Sequence, residues 1–367
     1  MPTPFLHRFS PIAVKSAVAY NHFGDSVMDH LGKTFGILSL VLTAACSVSH
    51  AQQPPTQQAP PPQTRPYSVG NPLGLPVTPA ADGRFAPISS NVKVYGSVYS
   101  AESCSYDSTR DVIVIPNRGV PPAVRDNDAW ITLVNHDGSI HTARWIGVQD
   151  AGNQRDALTP PLVLNEPFGS DIVNGVLYLA DRNTDTTKAV LSVIRRFDMK
   201  TGAPLPDISA RGAPWFNDIA IASDGTVYGT ATGANQVWRV RPDGSTSLFL
   251  QAAPLNRPNG VAVDRQGNIV VVNTGDDAVL TFSISGSVVL TERAAQTGSD
   301  GIVIMDDGTK YVSSVINGGI SRIRPRQPAE LIAENIPSAA SMCYDAGGKQ
   351  LVIPMNANNA IAFVKLQ

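Results

Sequence analysis

Three times in this chain an amide or carboxylate residue stands eight positions ahead of a glycine: Asn217 to Gly225, Asn259 to Gly267 and Asp300 to Gly308. Between and beyond them lie short apolar runs. In the clearest copy Val261 and Val263 alternate with Gly260 and Ala262, a polar turn covers residues 264–268, and residues 269–272 are unbroken Ile and Val. This predicts a hairpin whose second strand is buried on both faces. Weaker copies begin at Glu102, Phe168 and Ser341, so that successive anchors are 66, 49, 42, 41 and 41 residues apart by subtraction. A period in the low forties, with four strands per unit, means the blades of a β-propeller. Glycine (30) and proline (29) are plentiful and no long amphipathic helical period follows residue 50, which agrees with an all-β fold.

The repeat predicts six blades over residues 91–367. The sixth copy is truncated: residues 360–365 supply a third strand and the chain then ends. Residues 92–98, just ahead of the first anchor, alternate as a strand does. They are expected to close the ring as the outermost strand of the last blade, which removes an open edge. The long first interval holds insertions at about residues 120–128 and 149–166, rich in Pro, Asp and Asn, which read as a loop over one mouth of the ring.

Ahead of the propeller, Lys33 precedes the apolar run 35–45, and small residues at Ser49 and Ala51 suit cleavage of a signal peptide after Ala51. The run is too short for a permanent transmembrane helix. Met28 is a plausible start, leaving residues 1–27 as an upstream extension. A competing reading makes Cys46 the lipidated residue of a lipoprotein. Residues 52–90 form a linker, almost all Gln, Pro and Ala at first, that has nothing to bury and reads as disordered. The protein is therefore expected to be exported, to the periplasm or beyond. A formal net charge of -2 offers no electrostatic case for nucleic acid or an acidic membrane surface.

In a propeller the inner strand of every blade starts beside the central axis, so the six anchors converge. Four of them, Glu102, Asn217, Asn259 and Asp300, are hard oxygen donors without a His or Cys among them. That set suits Ca²⁺, or another hard divalent cation, rather than zinc. Each alone has a plainer reading: Asn259 and Asp300 precede glycines as turn residues do, Asn217 opens a polar pair, and Glu102 could be a solvated acid. Their common position, set independently by the turn glycines, favours the shared site.

Asn217-Asp218, Pro258-Asn259-Gly260 and Ser299-Asp300-Gly301, with Glu102 ahead of the first hairpin, resemble the senescence-marker-protein/gluconolactonase (regucalcin-like) family of six-bladed propellers. Its relatives include the paraoxonases and the squid-type diisopropylfluorophosphatase. The resemblance implies a divalent metal, usually calcium, in a central pocket, with Glu102, Asn217, Asn259 and Asp300 as ligands. It also implies hydrolysis of lactones, or of esters and phosphotriesters in some branches. Sugar-lactonase members usually carry Glu-Gly-Pro at the first anchor, where this chain has Glu102-Ser103-Cys104, and an arginine for sugar hydroxyls, for which no match is found; Arg211 is nearby without a motif. The aromatic Trp215 ahead of Asn217 points to a less polar substrate than an aldonolactone. Trp215, Phe168 and Ser341 are expected to line the substrate pocket.

The expected chemistry is polarisation of a substrate carbonyl or phosphoryl oxygen by the metal, followed by attack of water or a carboxylate. Asp300 is the first candidate for general base or nucleophile and Glu102 the second. His136 and His141 fall on the outer hairpin of the first blade and are expected at the surface. Cys104 and Cys343 both sit two residues past their anchors in blades that become neighbours on closure. A disulfide and two separate buried thiols are both open to them, since the inner strands of adjacent blades can stand too far apart for a bridge. No nucleophile elbow or phosphate-binding glycine loop is present. The alternative to a metal-dependent hydrolase is a non-catalytic binding or scaffold propeller with a structural calcium.

Overall fold

The computed structural model describes residues 88–96, 98–119, 127–147, 158–184 and 190–366. The signal-like segment, Cys46 and the first part of the Pro/Gln-rich linker lie outside the described residues, as do most of the two insertions. Among the described residues there is no α-helix, and no helix is long and apolar enough to cross a membrane.

The chain folds into six antiparallel sheets of four strands each. Blade one holds Ser105–Asp107, Val112–Asn117, Trp130–Val134 and Ile140–Ile146. The inner strands of blades two to five are Glu166–Val173, Asp218–Ile221, Pro258–Val263 and Ser299–Ile304. Blade six runs outward from Cys343–Asp345 through Gln350–Met355 and Ala360–Lys365. Its fourth strand is Val92–Tyr95, which pairs antiparallel with Ala360–Lys365 and places Val92 opposite Val364. The N-terminal strand thus closes the ring as the repeat predicts. Consecutive inner strands touch around the axis, and the sixth meets the first.

The unbroken apolar second strands follow from burial on both faces. In Val112–Asn117, Val112 and Val114 pack toward blade two with Leu177 and Leu179, while Ile113 and Ile115 pack toward blade six with Val352 and Phe363. In blade four, Val270 and Val272 face blade five and Ile269 and Val271 face blade three. Each fully buried Val or Ile contributes roughly 1.5–3 kcal/mol, so these sandwiches between blades dominate the fold's stability. The polar turns do the complementary work. Asp264 Oδ1 accepts the backbone N–H groups of Gln266 (2.9 Å) and Asn268 (2.8 Å), and Gly267 closes the turn at φ +80°. Gly225 and Gly308 adopt the same conformation, which only glycine takes without strain.

Cys104 and Cys343 are joined by a disulfide, with a Cα–Cα separation of 5.5 Å. The first and last inner strands therefore do approach closely enough for the bridge. His141 is exposed, as expected. His136 stays on the outer hairpin but is only half-exposed, because its ring reaches across to blade six and contacts Asp345.

Candidate active site

Asn259 and Asp300 stand where the inner strands of blades four and five begin, and the glycines that follow them let neighbouring backbones close in. A Cβ on Gly260 would stand 2.2 Å from the carbonyl oxygen of Asp300, and one on Gly301 would stand 2.6 Å from Ser341 Cα. Hydroxyls from the second strands bridge the same seams. Thr274 Oγ1 donates to Ser299 O at 3.0 Å and Ser313 Oγ donates to Ala340 O at 2.8 Å. Thr230 Oγ1 donates to Asn259 O. The inner strands of blades three to six are thus held at near-backbone contact.

Asn259 and Asp300 are brought together. Asn259 Nδ2 donates to Asp300 Oδ2 at 3.0 Å and to Thr274 Oγ1 at 3.1 Å. This leaves Asn259 Oδ1 and Asp300 Oδ1 buried without a hydrogen-bond partner, and Asn217 Oδ1 is in the same condition. An unpaired buried acceptor costs about 1–3 kcal/mol, so each of these oxygens is expensive unless something is bound to it. Glu102 is buried too, with Oε2 accepting Asn356 Nδ2 at 2.6 Å and lying 3.9 Å from Arg118 Nη1.

The electrostatics follow from this crowding. Burial pushes Asp300 well above the usual carboxylate range, and the charges of Glu102 and Asp218 add to the rise against the pull of the Asn259 amide. Burial also raises Glu102, with Arg118 and Asn356 opposing it. Asp218 is pushed up to about 7, chiefly by burial, although its oxygens accept the N–H groups of Val261 (3.1 Å) and Ile219 (2.9 Å). Asp300 and Glu102, two carboxyls that burial holds above their usual range, together with the carboxamides of Asn217 and Asn259, are a donor set of the chemistry that a hard divalent cation takes. Among the described residues no group of three or more His, Cys, Asp and Glu is arranged to hold a metal. The set here mixes two carboxylates with two carboxamides.

The aromatic residues stand beside it. The rings of Phe168 and Trp215 are 5.1 Å apart and tilted by 49°. Two arginines that sequence reasoning missed sit on them. The Arg118 guanidinium lies 4.9 Å from the Phe168 centroid, and that of Arg182 lies 5.3 Å from Phe168 and 4.7 Å from Trp215. Arg211 is exposed. Ser341, by contrast, lines a cavity of about 280 Å³ further along the inner strands, with Asp171, Asp218 and the disulfide cysteines.

Asn356 was also missed, although a signal for it exists. It stands fifteen residues after the anchor Ser341, as Thr274 does after Asn259 and Thr232 after Asn217. All three follow the end of a second strand and bond to residues at the axis. The anchor count, continued by fifteen, would have found them.

No protein-family model matches this sequence, and no curated protein matches it. Among solved structures, the chain is similar to a virginiamycin B lyase from Staphylococcus aureus, at 12% identity and a TM-score of 0.51 over 75% of this chain and 99% of that one. It is similar to a gluconolactonase from Xanthomonas campestris at 15% identity and a TM-score of 0.50, covering 83% and 99%. A Bacteroides thetaiotaomicron protein of unknown function aligns at 10% identity and a TM-score of 0.52, covering 77% and 79%. At these identities the likeness is one of fold.

Proposed function

We propose that this chain is an exported, calcium-dependent hydrolase of lactones or related esters, of the gluconolactonase-like kind, with Glu102, Asn217, Asn259 and Asp300 as metal ligands. The observation that carries the reading is the set of three buried, unpartnered oxygens on Asn217, Asn259 and Asp300, with the Glu102 carboxylate acting on Asp300. Export is supported by the signal-like N-terminus and by the Cys104–Cys343 disulfide, which belongs in an oxidising compartment.

A bound divalent cation supplies Lewis acidity toward a carbonyl oxygen. The chain's own residues then do the following. Asn259 holds Asp300 Oδ2 through its amide and so orients the carboxylate. Asp300 would take the proton from a water that adds to the carbonyl and return it to the leaving oxygen as the acyl C–O bond breaks; if Asp300 instead attacks the carbonyl itself, the leaving oxygen departs and a water then hydrolyses the acyl-Asp300. Asn356 fixes Glu102 by one oxygen. Phe168 and Trp215 cover an apolar part of the substrate and exclude water. A carboxylate whose charge is shared with a cation is a weak base, so the bond broken must be an activated one, as in lactones and aryl esters.

Calcium titration of metal-stripped protein by calorimetry, beside Asp300→Ala, tests the reading. One site lost in the variant, with calcium-dependent turnover of a lactone or aryl ester, is the expected result. Calcium binding without turnover would leave a structural metal in a binding propeller. Binding indifferent to Asp300 would sink the site.

A further inference from the structure

We propose that Arg118 and Arg182 form a carboxylate-binding subsite beside the oxygen set, so that the preferred substrate carries a carboxylate and a flat apolar portion as well as the bond to be broken. The inference rests on the hydrolase reading for the bond broken, but not for the binding.

Both guanidiniums are drawn to one ring. Arg118 lies 4.9 Å and Arg182 5.3 Å from the Phe168 centroid, and Arg182 also covers Trp215 at 4.7 Å. A guanidinium stacked by its face keeps its in-plane N–H donors, and that fork matches a carboxylate. Arg118 is fixed by one edge: Nε donates to Ser100 O at 2.9 Å and Nη2 donates to Ser100 Oγ at 2.6 Å. Its Nη1 faces Glu102 Oε2 from 3.9 Å, beyond hydrogen-bond reach. Arg182 Nη1 lies 3.3 Å from Glu166 Oε2. The side chains of the two arginines are 17% and 23% exposed, so both are preorganised and partly desolvated, which strengthens their pull on an anion.

The charge arrangement says when the subsite acts. Two cations beside one ring repel, and the carboxyls nearest them, Glu102 at 3.9 Å and Glu166 at 3.3 Å, offset them in part. Glu102 belongs also to the oxygen set. A divalent cation held by that set adds positive charge beside Arg118, and the place beside Phe168 turns net positive. An anion is then the complementary ligand, and binding of metal and carboxylate is cooperative.

The test uses benzoate as a probe that cannot be hydrolysed, and a pair of aryl esters, 4-nitrophenyl butyrate and mono-4-nitrophenyl glutarate, which differ by a carboxylate. Benzoate is expected to bind the calcium-loaded protein about tenfold or more tightly than the stripped protein. Arg182→Gln is expected to lose that affinity by about tenfold while calcium affinity holds, since Arg182 is not one of the four proposed metal ligands. Arg182→Lys, which keeps the charge without the fork, falls between and serves if the glutamine variant folds poorly. In kcat/KM the glutarate ester is expected to be favoured, and Arg182→Gln to collapse the preference. Benzoate affinity and ester preference unchanged in Arg182→Gln would overturn the subsite, as would calcium binding with no benzoate binding. If neither ester is cleaved but benzoate binds in an Arg182-dependent way, the hydrolase reading fails and the subsite stands.

Discussion

Gly260 faces the carbonyl oxygen of Asp300 so closely that a Cβ would stand 2.2 Å from it, with Val272 Cγ2 at 2.9 Å behind. Neither atom belongs to the end of a flexible side chain that could swing away far enough, so the inner strands of blades four and five must part if a methyl is added. The strands carry Asn259 and Asp300, whose side chains meet at 3.0 Å. Gly260→Ala is therefore expected to destabilise the fold by roughly 1–3 kcal/mol, as overpacking does. It should also weaken calcium binding, because the parted strands separate two of the four oxygen donors. Thermal unfolding together with a calcium titration checks this; a variant with wild-type melting and affinity would show that the seam is looser than the geometry says.

The Cys104–Cys343 bridge closes a loop across a sequence separation of 239 residues, joining the first inner strand to the last. Cross-linking so long a loop removes much of the unfolded chain's freedom, by about 5.5 kcal/mol in the chain-entropy account. The double variant Cys104→Ser, Cys343→Ser is expected to fold, since the Val92–Tyr95 strand still closes the ring, but to unfold at lower denaturant concentration by that order. The wild type under strong reductant should shift in the same way and the variant should not. Equal midpoints for both proteins would refute a stabilising role.

The fold was readable because its signal is repeated. Blades three to five state the same turn glycine and the same fully buried second strand, and the missing fourth strand of blade six is supplied by residues 92–95. The anchors were readable for the same reason, since Asn217, Asn259 and Asp300 share one count to a glycine. Arg118 and Arg182 were not, because they stand at the ends of second strands in only two blades and at unequal counts from their anchors, 16 after Glu102 and 14 after Phe168. The disulfide could be posed but not decided: equal offsets from Glu102 and Ser341 say nothing of how closely the two strands approach. His136 was placed on the right hairpin, but its reach to Asp345 depends on how neighbouring blades stagger, which no local pattern carries.

That reach makes His136 a pH-dependent link across the ring closure. Its Nδ1 lies 2.7 Å from Asp345 Oδ1 and its Nε2 3.2 Å from Asp111 Oδ2, while Gln350 Nε2 donates to both Asp345 Oδ2 and the His136 carbonyl. Tyr106 bonds Asp111 from the other side. Burial pulls the imidazole pKa down, but the bonds and charges of Asp111 and Asp345 outweigh it and raise the value above 6.5. A raised folded pKa means the stabilisation is full below 6.5 and fades as pH rises through the folded value. His136→Gln should cost about 1 kcal/mol or less near pH 5.5, given how solvent screens a half-exposed pair, and the gap from wild type should narrow by pH 8.5. A gap that is constant with pH would mean that packing, not charge, is what His136 contributes.

Asp218 sets a second pH dependence, and this one reports on the proposed metal site. Burial is the main cause that carries its pKa from 3.8 to about 7, with the charges of Asp171 and Glu102 adding to it and the backbone N–H groups of Val261 and Ile219 resisting. The folded protein thus holds a proton there that the unfolded chain releases near pH 4. Between about pH 4 and pH 7 the native state binds more protons, so the stability of metal-free protein falls as pH rises, by an amount on the order of a few kcal/mol for a shift of this size. Asp300 and Glu102, also raised, act in the same sense. Asp218→Asn removes one titrating group while keeping an acceptor for the Val261 N–H, so the metal-free variant should lose less stability across that window. Calcium should flatten the wild-type profile as well, because a cation beside these carboxyls favours their ionised forms and returns their pKa values toward the unfolded ones. Unfolding midpoints at pH 4.5, 6 and 7.5, with chelator and with calcium, separate the cases. A variant profile parallel to the wild type would show that Asp218 ionises normally in the fold. A calcium-insensitive wild-type profile would show that no cation reaches the carboxylates at the axis.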